Sequence, residues 1–296
     1  MSSIERQASR PEILQPRKPR DDELDVFGLT HPGKVRESNE DQFILASLQR
    51  RLEVHASSLP ADSLAGAVNS RVAFLAMVAD GVGGRAKGEE ASRLALEEST
   101  LYLTQSVRCW YRHDDQESEF MDLLQAAAIR SHQRVLERAS ADEELSGMAS
   151  TLTLWLGVWP WSYLLQVGDS RYYLYREGTL TQISRDQTIA QELVDRGVLA
   201  RSALERSPLA NVLSSAIGGA AAAPVVTRIA ADWSNVHLLC SDGLTKHVSD
   251  ERIAERLRDM TSARQCCEAL LQDALDAGGS DNVTIMVGRS IRKDPG

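Results

Sequence analysis

Carboxylates close several apolar runs of this chain. Asp80 follows FLAMVA, Asp169 follows YLLQVG, Asp242 follows VHLLCS, and Asp281 stands two residues before VTIMVG. A fifth group, Asn39-Glu40-Asp41, precedes the extended run QFILASL, with Arg36 close by. One acid at a strand end is ordinary turn chemistry, because Asp bonds neighbouring backbone N–H groups. Four such acids and a cluster ask for more. Strand ends are rigid, and carboxylates gathered there repel one another unless cations hold them together. The Cys and His residues form no C-x-x-C, no H-E-x-x-H and no mixed cluster. Ligation by oxygen alone implies hard divalent ions, Mg2+ or Mn2+, and not structural zinc. Two such ions lower the pKa of a shared water and clamp the oxygens of a displacement, which makes phosphate ester hydrolysis the natural chemistry. Arg36 could then hold two phosphate oxygens with its planar fork.

The elements that must position these groups follow from periodicity. DVFGLT (25–30), QFILASL (42–48) and RVAFLAMVAD (71–80) read as strands, the last apolar enough to be buried on both faces. A small, polar surface loop is expected over 56–70. Helices are expected over 88–105, with an apolar stripe of Ala91, Leu94, Ala95, Leu101 and Tyr102, and over 117–138, with Phe120, Leu124, Ala127, Val135 and Leu136; residues 110–116 connect them. Strands return at 151–158, 162–169, 171–178 and 178–184, the first two as a hairpin. Residues 185–223 are irregular around one short helix. Strands at 225–230 and 235–242, helices at 249–259 and 261–276, and a strand at 282–290 complete the order. Strand and helix do not alternate, so a doubly wound sheet fits poorly and layered α+β, antiparallel sheets flanked by helices, fits well.

The 296 residues carry 33 Lys+Arg against 42 Asp+Glu, a net charge of −9, with 43% hydrophobic and 25% charged residues. This is a globular composition with length for a large core. The acidic balance argues against nucleic acid or an anionic membrane as partner. No apolar run approaches the ~18 residues of a membrane span, and the polar start has no signal-peptide core. Adjacent Cys266 and Cys267 in an expected helix fit a reducing compartment. The expectation is a cytoplasmic protein with a flexible arm over 1–24, one domain over 25–290 and a tail over 291–296.

Six motifs occur in one order: R-x-x-N-E-D at 36–41, VADGVGG at 78–84, MAST at 148–151, VGDSRYYLYREGTLTQISRDQT at 167–188, CSDGLTKHVSD at 240–250 and GGSDNVTIMV at 278–287. Together they resemble the metal-dependent protein serine/threonine phosphatases, the PP2C-like or PPM family, in its bacterial form, over about nine-tenths of the chain. The resemblance implies a four-layer α/β/β/α sandwich with the metals at one end of two central antiparallel sheets. It implies hydrolysis of phosphoserine and phosphothreonine by a water or hydroxide bridging two Mn2+ or Mg2+ ions. Asp80 would bridge both ions. Asp242 and Asp281 would complete the first, while Glu40 and the Gly81 carbonyl would serve the second. Asp41 and Asn282 would support these ligands, and Arg36 would bind substrate phosphate. Asp169 would hold a weaker third ion shared with Asp242. Residues 185–223 would form a flap beside the site, and the partners would be phosphoproteins made by a serine/threonine kinase.

Two positions depart from the family pattern. Val82 stands where animal enzymes carry a His proposed as general acid, which leaves the source of the leaving-group proton open. Ala149 replaces a usual Gly, which a negative φ tolerates. The glycines of GVGGRAKG have neither dinucleotide nor P-loop spacing. His31, His132, His237 and His247 read as turn, packing or surface residues, and Trp155, Trp159 and Trp161 as core and hairpin groups. Arg201, Arg206 and Arg228 could lend the site mouth a positive field. Two rival readings stay open: a phosphatase of small phosphoesters, and an inactive family member acting as a regulatory binding module.

Overall fold

The computed structural model describes residues 17–51, 56, 58, 60, 69–84, 86–106, 116–204 and 206–293. In chain order the strands and helices are β1 (Leu24–His31), β2 (Gln42–Arg51), β3 (Asn69–Ala79), β4 (Gly81–Val82), α1 (Ala86–Gln105) and α2 (Gln116–Ala141). Next come β5 (Ala149–Ser150), β6 (Leu152–Val158), β7 (Trp161–Val167), β8 (Arg171–Arg176), β9 (Thr179–Gln182) and α3 (Ile189–Asp195). The last are β10 (Val225–Ala230), β11 (Val236–Cys240), α4 (Asp242–Thr245), α5 (Asp250–Arg258), α6 (Ala263–Asp276) and β12 (Val283–Ser290).

Among the described residues two antiparallel sheets carry the architecture. One runs β1-β12-β11-β8-β9 and the other β10-β7-β6-β3-β2, with β4-β5 as a small pair beside them. Their facing surfaces meet through Ala76, Val78, Leu164, Tyr172, Leu239 and Met286. The outer face of the second sheet packs on α1 and α2 through Leu75, Met77, Leu94, Leu124, Val135 and Leu154. The outer face of the first packs on α5 and α6 through Leu238, Ile253, Leu257, Leu270 and Ile285. The α+β sandwich with helices outside two antiparallel sheets is thus observed. β3 is buried on both faces because it lies between sheet and helices, from Leu75 to Ala79 without a break. Ser249 and Ser262 start α5 and α6, each hydroxyl accepting the N–H of the third residue on.

The differences from expectation are local. Leu101 is 53% exposed and Leu103 fully buried, because two helical residues lie about 200° apart and only one can face the core. Leu136 is exposed beside buried Val135, because adjacent helical residues lie about 100° apart. Residues 17–24 are packed: Asp21–Glu23 form a 3-10 turn, and buried Glu23 takes Arg17 Nη1 at 2.6 Å and the Arg20 N–H at 2.8 Å. Residues 1–16 lie outside the described residues. So do most of the loop over 56–70, whose last two positions belong to β3, the connection up to residue 115, and residues 294–296.

Candidate active site

Register explains the meeting of distant acids. Gln42 pairs with Ala79, so Glu40 and Asp41 enter β2 beside the exit of β3 at Asp80. Cys240 pairs with Ile285, which sets the exit of β11 at Asp242 beside the entry of β12 at Asp281. Asp169 lies in the turn that carries the chain from β7 in one sheet to β8 in the other. Arg36, Glu40, Asp80, Gly81, Asp169, Asp242, Asp281 and Asn282 line one cavity of about 660 Å³. Asp41 lies behind its wall, 1% exposed. Every metal-ligand, supporting and phosphate-binding residue that the resemblance implies therefore lies on this cavity or directly behind it.

Hydrogen bonds fix the backbone that carries these groups. Thr151 Oγ1 accepts the Asp80 N–H at 2.9 Å, and Ser150 Oγ donates to the Asp80 carbonyl at 3.0 Å. Asn282 Oδ1 accepts the Glu40 N–H at 2.9 Å, while its amide donates to the carbonyls of Ser38 (2.8 Å) and Pro32 (3.1 Å). One Asn side chain thus ties the 31–41 loop to the mouth of the site. Ser241 Oγ and Thr284 Oγ1 each donate to Asp41 Oδ2 at 2.7 Å, a staple between the two sheets. Residues 211–216 and 219–221 of the irregular segment form part of the cavity wall. They are pinned by the Ser150–Ile217 backbone pair (2.9 and 2.8 Å) and by His132 Nδ1, which accepts the Gly218 N–H at 3.0 Å.

The electrostatics are those of crowded acids. Burial, then the charges of Asp41, Asp242, Asp169 and Asp281, pushes Asp80 well above the ordinary carboxylate range. Burial and neighbouring Asp242 raise Asp169 to about 7. Burial raises Asp41 to about 7 against the hydrogen bonds of Thr284 and Ser241. Burial likewise raises Asp242, although Lys246 opposes it. Asp281 alone is lowered: burial works against ionisation, but Lys246 and Arg36 outweigh it. Arg36 Nε lies 2.9 Å from Asp281 Oδ1. Buried oxygens Asp41 Oδ1 and Asp242 Oδ1 have no hydrogen-bond partner. Orphaned carboxylate oxygens beside an all-oxygen donor set fit hard divalent cations. Among the described residues no three acidic, His or Cys side chains yet close into a cage.

Sequence reasoning misses several groups here. Gly88, in the first turn of α1, leaves room for Glu40: a Cβ there would collide with Glu40 Oε2 and with the backbone of Gly81. Ser92 Oγ donates to the Glu40 carbonyl at 2.6 Å. Lys246 reaches two of the acids. Only the small residues of GEEAS hinted at the first two, since close helix–strand approach needs them. None of Arg201, Arg206 and Arg228 lines the cavity, and Arg228 lies over the Trp161 ring at 4.3 Å. His31 accepts the Gly33 N–H and His247 meets Ser280, both turn roles. His237 lies tilted against Trp155 at 4.7 Å, with burial lowering its pKa to about 4. At the opposite end of the sandwich a second, mostly apolar cavity of about 100 Å³, lined by Trp155, Trp161 and His237 among others, holds no acid cluster.

A family profile for protein phosphatase 2C matches residues 53–277. The serine/threonine protein phosphatase PstP of Mycobacterium tuberculosis is 34% identical over 224 residues, 76% of this chain; the chain spans 42% of that protein's length. The crystal structure of that phosphatase matches with a TM-score of 0.72 at 30% identity, covering 91% of this chain and 99% of that one. A crystal structure of the PstP catalytic domain in complex with two manganese ions matches with a TM-score of 0.70, also at 30% identity and 91% and 99% coverage.

Proposed function

The chain belongs to the protein phosphatase 2C family, and from that premise we propose that it hydrolyses phosphoserine and phosphothreonine in proteins with two divalent metal ions. One observation carries the reading. Carboxylates from both sheets share one cavity, where burial and neighbouring carboxylates push Asp80 well above the ordinary carboxylate range, beside the Arg36 guanidinium. Asp80 would serve both ions, Asp242 and Asp281 one, and Glu40 with the Gly81 carbonyl the other. The structure of a similar phosphatase with two manganese ions supports a two-ion site here. Bound there, the ions would activate water and neutralise charge on the phosphoryl oxygens.

The chain's own residues do the rest. Arg36, half exposed and paired with Asp281 through Nε, would turn the rest of its fork to a phosphoester. Asn282 holds the loop that carries Arg36 and Glu40 at a fixed distance from Asp80. Asp41, gripped by Ser241 and Thr284, keeps the two halves of the ligand set in register. Asp169 with Asp242 is our candidate for a third, weaker ion. The substrates we propose are products of a serine/threonine kinase. No helix among the described residues is long and apolar enough to cross a membrane. Buried free thiols at Cys240, Cys266 and Cys267 support the reducing cytoplasm as the setting.

Turnover of a phosphothreonine peptide and of a small aryl phosphate, each in EDTA and in Mn2+, tests the reading. The expected result is Mn2+-dependent release of phosphate from the peptide, abolished by Asp80→Asn with the fold retained. Metal-independent turnover, or full activity of Asp80→Asn, would overturn it. Turnover of the aryl phosphate alone would favour a small-molecule phosphatase.

A further inference from the structure

Lys246 follows α4 directly, four residues after Asp242. Its Nζ lies 2.6 Å from Asp242 Oδ2 and 2.8 Å from Asp281 Oδ2. The first contact is within one turn of chain. The second reaches across to the entry of β12, so the ammonium bridges two elements. Asp242 and Asp281 are the pair assigned above to one metal ion, and each presents one oxygen to Lys246. The other Asp242 oxygen is buried and unpartnered. The Lys246 side chain is 29% exposed, which leaves it a path out to solvent. An ammonium and a divalent ion cannot share these oxygens, because their charges repel at contact distance.

We propose that Lys246 is the resident counter-ion of the Asp242–Asp281 pair, so that a metal ion enters by exchange against its ammonium and Lys246 sets the metal affinity of the site. This rests on the reading that those two carboxylates bind metal. Lys246 is then a positioning residue with two effects. It keeps Asp242 and Asp281 together while metal is absent, and it raises the metal concentration at which the site fills. Two charge-assisted hydrogen bonds must break on exchange, which weakens binding by roughly 10- to 100-fold relative to a chain without them.

Calorimetric titration with Mn2+ and thermal melts, both on the full chain, test this without reference to turnover. Lys246→Met should bind Mn2+ roughly 10- to 100-fold more tightly than the wild type. It should also melt lower in EDTA and recover in excess Mn2+. Lys246→Arg keeps the charge and should stay near the wild type in both measurements. A Lys246→Met chain that is unfolded in EDTA but folds on adding Mn2+ would equally support the proposal; one unfolded in both would overturn it. Binding lost in Asp242→Asn but unchanged or weaker in Lys246→Met would overturn this inference while leaving the metal reading standing. A wild type that neither binds Mn2+ nor gains stability from it would overturn both.

Discussion

Arg36 shows how a single residue is prepared for two partners. Its Nε sits 2.9 Å from Asp281 Oδ1, and that neighbour's charge, more than any other influence, raises its own pKa. A guanidinium bound to one carboxylate through one nitrogen keeps the rest of its fork available. Arg36→Ala should therefore raise KM and lower kcat/KM by roughly 30-fold, the value of about 2 kcal/mol for a charge-assisted contact to phosphate. Arg36→Lys should restore only part of this, because a point charge does not replace a fork. Steady-state kinetics on a phosphopeptide at saturating Mn2+ would read both, and unchanged constants for Arg36→Ala would remove it from the site. Arg36, Glu40, Asp80, Asp169, Asp242 and Asp281 are legible in sequence because each acid closes an apolar run or sits beside one. Lys246, Ser92 and Gly88 are not. Ser92 meets Glu40 across 52 residues and Lys246 meets Asp281 across 35. No local pattern encodes such contacts.

At the scale of elements, the helices outside the first sheet are held by charge as well as by their apolar faces. Asp273 on α6 receives Arg256 at 2.7 Å through both oxygens and Arg252 at 2.9 and 3.1 Å, both arginines lying on α5. The Arg256 hydrogen bonds, helped by Arg252, lower Asp273 to about 2 against the opposing effect of burial. A carboxyl with a folded pKa below its unfolded value binds fewer protons when folded. Its contribution is full above the unfolded pKa near 4 and is lost as pH falls through about 2. Asp273→Asn should therefore cost about 1 kcal/mol at pH 7, and the gap between the two melting curves should narrow from pH 4 towards pH 2. A gap that stays constant over that range would show that the clamp acts through packing alone. The long elements follow from periodicity, β3 from its unbroken apolar run and α5 from a serine cap before alternating charge and aliphatic residues. The four-residue α4 does not, since SDGLT carries too few positions to show a period. Yet α4 carries Asp242 and, just beyond it, Lys246, so the shortest helix contributes most to the site.

Across the whole molecule, the two sheets would supply different parts of the proposed ligand set, and neither could assemble it alone. Asp80, Glu40 and the Gly81 carbonyl come from the second sheet and its margin; Asp242 and Asp281 come from the first. The layer between the sheets, with Val78 and Leu164 facing Tyr172 and Met286, sets their separation, and the Asp41 staple sets their register at the site end. The net charge of −9 gives the surface no general attraction for phosphate. On the proposed function, recognition is then local, through Arg36 and the cations that the acids would hold. The acids at the end of the sandwich are thus proposed to be one binuclear metal centre. A crystal grown with Mn2+ and measured at the manganese absorption edge tests it directly. Two anomalous peaks are expected in the cavity that share Asp80, one also touched by Asp242 and Asp281, the other by Glu40 and the Gly81 carbonyl. A cavity without anomalous density at saturating Mn2+, or a single peak that does not touch Asp80, would contradict it.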